Sequence, residues 1–321
     1  MLTLLCAMAV YPAETFPRLM VPWLCALSVC RPDSASESPD AYEAQRGPRF
    51  SAETTFTGMR GRYADYRIRI SNSRLSVTGR LLQPTKAAVP RGYPAVLLQN
   101  GRELNSRAVE FLPADFGDVV VLSLDYPSEF PYELSIREIL LRSDRLRRAS
   151  RRVAPMFSLG ADYLLSRPDV DTSRLVMVAT SFAVPFAVQA AAADTRFVNV
   201  GLIYGAGNMA EVLEANLTLR PRWMRPVVAW LAMRPFAEFA PERYVSRIAP
   251  RPIVMVNGID DPQMPRHAVQ TLYDEAREPK TIIWLRTGHL LPEDSALVRA
   301  LVDTTLARLP ALRDVAATRR R

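Results

Sequence analysis

Only two histidines, His267 and His289, occur in the 321 residues of this chain, so chemistry that needs an imidazole has two candidates. His289 stands in Arg286-Thr287-Gly288-His289-Leu290-Leu291, directly after a short apolar run, where Gly288 lets the backbone turn and project the ring. His267 follows Met264-Pro265-Arg266 inside a helical pattern and reads as a solvated or capping residue. A neutral imidazole can take the proton of a serine hydroxyl, which is a poor nucleophile at neutral pH without such a base. The serine best placed for that is Ser181. An apolar strand, Leu175-Val176-Met177-Val178, runs into the pentad Ala179-Thr180-Ser181-Phe182-Ala183 and then into the helical pattern Val184–Ala193. A sharp strand-to-helix turn holds a serine Oγ clear of the sheet with the helix N-terminus pointing at it. The backbone folds tightly there, so small residues are needed two positions either side. Alanine, not the usual glycine, stands at both. The competing reading is a core β–α turn that holds a serine by chance.

An imidazole acting as a base needs a carboxylate to fix its tautomer and stabilise its cation. The segment Val256-Asn257-Gly258-Ile259-Asp260-Asp261-Pro262-Gln263-Met264-Pro265 ends another apolar run and offers two acids. The Gly-x-x-Asp-x-x-x-Pro spacing selects Asp261. Asp260 is the alternative, and otherwise an ordinary turn former. A negative charge developing on a carbonyl oxygen needs two N–H donors. One is the amide of Phe182. The other is assigned by position to the amide of Arg102, in Gln99-Asn100-Gly101-Arg102-Glu103, with Gly101 letting that loop approach. A plain Asn-Gly turn is the rival reading of that loop. Together these groups describe acyl transfer through a serine.

The elements that must position them can be read from apolar patterning. Tyr66–Ser71 and Arg74–Leu82 alternate apolar and polar residues about Asn72-Ser73, which predicts an antiparallel hairpin, half exposed. Short continuous apolar runs follow at Ala95–Leu98, Val119–Leu124, Leu175–Ala179, Val198–Ile203, Ile253–Val256 and Thr281–Leu285, the pattern of parallel strands buried on both faces. Helical patterns lie between them at about Ser143–Ser166, Pro185–Ala193, Pro265–Arg277 and Ser295–Leu309, the first containing Pro155, a point for a kink or split. This alternation predicts an α/β fold with a mostly parallel, doubly wound sheet and an N-terminal antiparallel hairpin. From Gly205 to Pro250 no strand is evident. That interval reads as a helical insertion over the carboxyl edge of the sheet, before the strand that leads to Asp261. Its aromatic residues include Trp223, Trp230 and Phe236, read either as packed core or as the wall of a substrate pocket or a membrane contact.

These residues resemble the α/β-hydrolase superfamily, nearest to the dienelactone-hydrolase and acyl-esterase branch. The resemblance spans about Tyr66 to Leu309. It rests on the Ala95–Gly101 strand and loop, the Val119–Tyr126 strand ending in Asp125-Tyr126-Pro127, the Ser181 turn, the Asp261 loop and the His289 loop. The chain order Ser, Asp, His is the one this fold uses. The resemblance implies a nucleophile–acid–base triad at Ser181, Asp261 and His289, an acyl-enzyme intermediate, an ester substrate and no cofactor. Two departures stand out: the turn lacks glycines, and Asn100 stands where the family often has His before Gly. A thioesterase or acyltransferase would use the same triad, and a non-catalytic binding protein could share the fold.

Composition sets the remaining bounds. The chain is 49% hydrophobic, with a mean hydropathy of −0.02, the values of a globular protein. The net charge of +8 lies mostly on arginines. It comes without zinc-finger spacing or a lysine-rich arm, so nucleic acid is not an expected partner. An anionic membrane surface fits the charge, through the leader or the basic run Arg142, Arg145, Arg147, Arg148, Arg151 and Arg152, although one solvated helix face explains that run as well. Cys6, Cys25 and Cys30 all fall in the leader, residues 1–30. With two histidines besides, no metal site is expected. The leader's apolar runs, Leu2–Val10 and Val21–Val29, fall short of the ~18–20 residues a membrane span needs. Val21–Val29 followed by polar residues resembles an export signal. Leu27-Ser28-Val29-Cys30 resembles a lipobox, with Val29 where a small residue is usual. The expectation is an exported protein, lipid-anchored at Cys30 in one version, or a cytoplasmic one if Met20 is the true start. Residues 31–50 read as a linker, 51–312 as the catalytic domain and 313–321 as a basic tail. Oligomeric state is not legible.

Overall fold

The computed structural model describes residues 49–86, 90–131, 135–290 and 293–319. The leader, its cysteines and most of the linker lie outside the described residues. A single nine-stranded sheet organises the chain, in the order β1-β2-β3-β5-β4-β6-β7-β8-β9. The strands are β1 (Phe50–Arg60), β2 (Tyr63–Asn72), β3 (Ser76–Pro84), β4 (Tyr93–Gln99), β5 (Val120–Leu124), β6 (Val170–Thr180), β7 (Asn199–Ile203), β8 (Ile253–Gly258) and β9 (Lys280–Leu285). From β5 to β9 all neighbours run parallel, and β1, β2, β3 and β5 pair antiparallel.

Every residue of β4, β5, β7 and β8 is buried, which is why those strands are mostly apolar, with one polar side chain in each. In β2, Ile68 and Ile70 face the core while Arg67 and Arg69 face outward, so alternation marks a half-exposed strand. The Asn72 carboxamide oxygen accepts the amides of Arg74 (2.8 Å) and Leu75 (2.7 Å) and so shapes the hairpin turn. One strand lies where no pattern predicted it. β1 pairs with β2 alone and buries none of its residues, so its sequence carries no hydrophobic period.

Helices cover both faces. α1 (Ile136–Leu141) leads into α2 (Ser143–Leu165), which runs unbroken through Pro155. At Gly160 that helix meets the sheet so closely that a Cβ would stand 3.0 Å from the Leu124 side chain and 3.1 Å from Leu97. α3 (Val184–Ala193) follows β6, α6 (Arg266–Glu275) follows β8, and α7 (Ser295–Arg308) starts at Asp294, whose carboxylate accepts the Leu297 amide at 2.9 Å. Residues 313–319, expected as a tail, form α8, which buries Val315. Arg174 fixes its start by donating to the Ala311 carbonyl at 2.9 Å.

Between β7 and β8 the chain forms only helical segments: α4 (Met209–Asn216), α5 (Arg225–Met233) and short 3-10 turns at 222–224, 234–239, 241–243 and 245–247. This insertion is fastened to α2 by charge. Glu238 accepts from Arg147 Nε (2.6 Å) and pairs with Arg151 Nη2 (3.1 Å). Arg152 pairs with Glu129 at 2.5 Å and Arg142 with Glu138 at 3.0 Å. Much of the basic run on α2 is therefore matched within the fold.

Candidate active site

Ser181 sits where β6 ends. Thr180 is still extended (φ −123°, ψ 133°), and Val184 is already helical (φ −57°, ψ −47°). Ser181 turns the chain between them with φ +52°. A residue with a Cβ is strained in that left-handed region, by about 1–2 kcal/mol. Ala179 and Ala183, flanking the turn, are both fully buried, so methyl groups fill the space available. The register places the turn between two loops. Gln99 pairs with Ala179 on one side, and Thr180 pairs with Ile203 on the other. Continuing the register, Asn100 comes level with Thr180 and Tyr204 level with Ser181.

The acid and the base come together. His289 Nδ1 lies 2.7 Å from Asp261 Oδ2. A carboxylate only accepts, so Nδ1 carries the proton and Nε2 keeps its lone pair. The Asp261 side chain is fully buried, with its other oxygen accepting the amides of Gln263 (2.8 Å) and Met264 (3.3 Å). Asp260, the alternative, is exposed and offers its amide to the Thr287 carbonyl at 3.1 Å. His267 is 79% exposed and pairs with Glu211 at 2.9 Å, an arrangement that raises its pKa and leaves it on the surface.

Two contacts fold the His289 loop back over the sheet. Gly258 lies under it, where a Cβ would stand 2.5 Å from the Thr287 carbonyl oxygen, so no larger residue fits. Tyr204, at the end of β7, packs its ring 5.0 Å from the imidazole and donates to the Gly288 carbonyl at 3.0 Å, with Thr287 Oγ1 at 3.1 Å. Tyr204 is fully buried and also has φ +52°. Burial pushes its phenol up, so it is a neutral donor. Since Tyr204 flanks Ser181 in register, this contact brings His289 from the second strand beyond β7 back toward the serine. Among the described residues the Ser181 hydroxyl makes no hydrogen bond. Contacts of this kind are often long until a substrate is bound. Sequence reasoning passed over Tyr204, although a polar-tipped aromatic ending the run Val198–Ile203 was a visible signal. Tyr204→Phe keeps the ring contact and removes the hydroxyl bonds. It is expected to lower kcat/KM about fivefold, the equivalent of one net hydrogen bond, with a smaller change in KM. An unchanged rate on a panel of esters would remove Tyr204 from the machinery.

The segments that carry the two amides assigned to an oxyanion are linked by one tyrosine. Phe182 opens the first helical turn, where N–H groups lack an acceptor within the helix. Tyr126 joins it to the Arg102 loop. Its hydroxyl donates to the Asn100 carbonyl at 2.7 Å, and its ring lies 5.5 Å from that of Phe182. Asn105 Oδ1 accepts the Tyr126 amide at 3.0 Å. The Arg102 side chain is drawn away, donating to the Pro131 carbonyl at 2.9 Å and pairing with Glu103 at 3.0 Å.

A row of aromatic rings leads from the turn into the insertion. Phe182 meets Phe130 at 5.7 Å and Phe186 at 5.6 Å. Phe186 meets Phe239 at 6.0 Å, and Phe239 meets Phe236 at 6.5 Å. Of the three aromatics named from sequence, Phe236 thus connects to the serine turn. Trp230 instead stacks under the Arg234 guanidinium, 5.3 Å from its ring centre. Trp223 is 49% exposed, in the turn directly before α5. Among the described residues no group of three or more His, Cys, Asp or Glu side chains gathers that could hold a metal ion.

No family model matches this sequence, and no curated protein matches it. Solved structures do match over most of the chain. An acetyl xylan esterase from Paenibacillus sp. R4 is 16% identical with a TM-score of 0.60, covering 84% of this chain and 93% of that one. Acetyl xylan esterase 1 from Thermoanaerobacterium sp. JW/SL YS485 is 15% identical with a TM-score of 0.56, covering 83% and 93%. GrgF, an alpha/beta hydrolase from Penicillium sp. sh18, is 15% identical with a TM-score of 0.52, covering 84% and 100%. At such identities the likeness is one of fold.

Proposed function

We propose that this chain, whose fold is that of the α/β-hydrolases, is a serine hydrolase that cleaves carboxylic esters of small or apolar acyl groups. The observation that carries the reading is the left-handed serine at the end of β6, level with Tyr204, whose ring packs on a histidine with its Nδ1 bound to a buried carboxylate. Esterases among the similar structures support the ester class.

The steps follow from the groups present. Ser181 Oγ attacks the carbonyl carbon while His289 Nε2 takes its proton. Asp261 holds the imidazole in the right tautomer and stabilises the cation that forms. The amides of Phe182 and Arg102 receive the negative oxygen. His289 then protonates the departing alkoxide, leaving the acyl group on Ser181. Water, deprotonated by the same imidazole, releases the acid and restores the serine. The rings of Phe182, Phe130 and Tyr126 beside the turn favour an apolar acyl or alcohol group.

A fluorophosphonate probe is expected to label the folded protein at Ser181, and chromogenic esters of graded acyl length are expected to be hydrolysed. A folded protein that takes up no label and cleaves no ester would refute the reading. Added alcohol, amine and thiol acceptors separate hydrolysis from acyl transfer by their products.

A further inference from the structure

We propose that the outer face of the insertion docks on an anionic phospholipid bilayer. The claim concerns binding and holds whether or not the serine site turns over. Among the described residues eight large hydrophobic side chains are exposed, and five of them lie on two adjacent segments. Trp223, Val227 and Leu231 are 49%, 45% and 49% exposed. Their spacing of four puts them on one face of α5 and the turn before it. Beside α5 packs α1, which presents Leu140 and Leu141, 50% and 72% exposed.

Along α5 and the turn before it the charge has one sign, and on α1 Glu138 is paired with Arg142. Residues 215–237 hold Arg220, Arg222, Arg225 and Arg234 and no aspartate, glutamate or lysine. Arg225 is turned inward to the Leu219 carbonyl at 2.9 Å. Arg220 and Arg222 are exposed and have no ion pair among the described residues. This differs from α2, where Arg147 and Arg151 share Glu238 and Arg152 takes Glu129. The fold neutralises much of its basic helix and leaves Arg220 and Arg222 open.

An apolar stripe with tryptophan at one end and unmatched arginines beside it fits a surface that offers hydrocarbon at shallow depth and anionic headgroups above it. A second copy of the chain is a poorer fit. A two-fold contact would set the patch against itself and bring arginines against arginines. Nucleic acid would satisfy the arginines but would bury the leucines and valine against a polar backbone. No helix among the described residues is long and apolar enough to cross a membrane, so the contact proposed is peripheral.

Co-sedimentation of the full chain with phosphatidylcholine vesicles, with and without phosphatidylglycerol, tests this. Binding is expected only with phosphatidylglycerol and is expected to fall as salt is raised. Arg220→Gln with Arg222→Gln should weaken partitioning about thirtyfold, the loss of two basic residues near an anionic surface. Trp223→Ser with Leu231→Ser should weaken it at least tenfold. These side chains are exposed, so unchanged circular dichroism and thermal midpoints are expected and would show that the variants fold. The proposal is overturned if both double variants bind as the parent does, which would place binding on the leader or another surface. It is equally overturned if no vesicle binds, if Leu231→Ser instead dissolves a dimer in solution, or if duplex DNA is retained and vesicles are not.

Discussion

Alanine in place of Ser181 should lower the turnover of a chromogenic ester by about a millionfold, to the level left by bound-substrate effects alone, while the thermal midpoint stays where it was. The two halves of this result have different causes. The hydroxyl is the bond-forming group, so nothing else at the turn replaces it. Stability is unaffected because the hydroxyl makes no hydrogen bond among the described residues, and alanine suffers the same left-handed strain as serine. Glycine at 181 separates strain from chemistry. It has no Cβ to strain, so Ser181→Gly should be as inactive as alanine yet more stable by about 1 kcal/mol. Steady-state kinetics and thermal unfolding of the pair suffice. Residual activity above about one per cent in either variant would assign the nucleophile elsewhere.

The second large effect is expected at Asp261. Asp261→Asn preserves an oxygen for the amides of Gln263 and Met264, so the loop after β8 should hold its shape. The amide nitrogen then replaces the carboxylate oxygen that faces His289, and the imidazole must present its lone pair there. Nε2 becomes protonated and cannot accept from Ser181. The analogous replacement in another serine hydrolase lowers kcat about ten-thousandfold, and a loss of that order is expected here. The fall should be in kcat with KM little changed. Asp261→Ala should add a loss of about 1–3 kcal/mol in stability, since two amides lose their acceptor. Asp260→Asn, at an exposed side chain, should leave both rate and stability near the parent values. If Asp260→Asn were the damaging change and Asp261→Asn the silent one, the pairing at His289 would not be the functional one.

The parts legible in the sequence are those whose burial is uniform or strictly alternating. β4, β5, β7 and β8 announced themselves because a strand covered on both faces is mostly apolar, and the β2–β3 hairpin because one face is wet. Ser181, Asp261 and His289 could be singled out as candidates because each lies shortly after a strand and belongs to a scarce or punctuated pattern. β1 was silent because it has no buried face to write into its residues. Tyr204 was hidden by its own burial, since an aromatic at the end of an apolar run looks like core until its hydroxyl is seen to reach Gly288. The exposure of Trp223 was not legible because composition does not say which side of a turn faces water. The ring row from Phe182 to Phe236 joins residues far apart in the chain, and only the fold makes it continuous.

Glu238 takes two guanidinium groups from α2, and one residue further on Phe239 rests on Phe186. The insertion is thus held at Glu238 by charge and, further in, at Phe239 by oil. Brine weakens the first fastening and spares the second. As electrolyte rises, the outer margin should slacken ahead of the inner one, opening the insertion from its rim instead of lifting it whole.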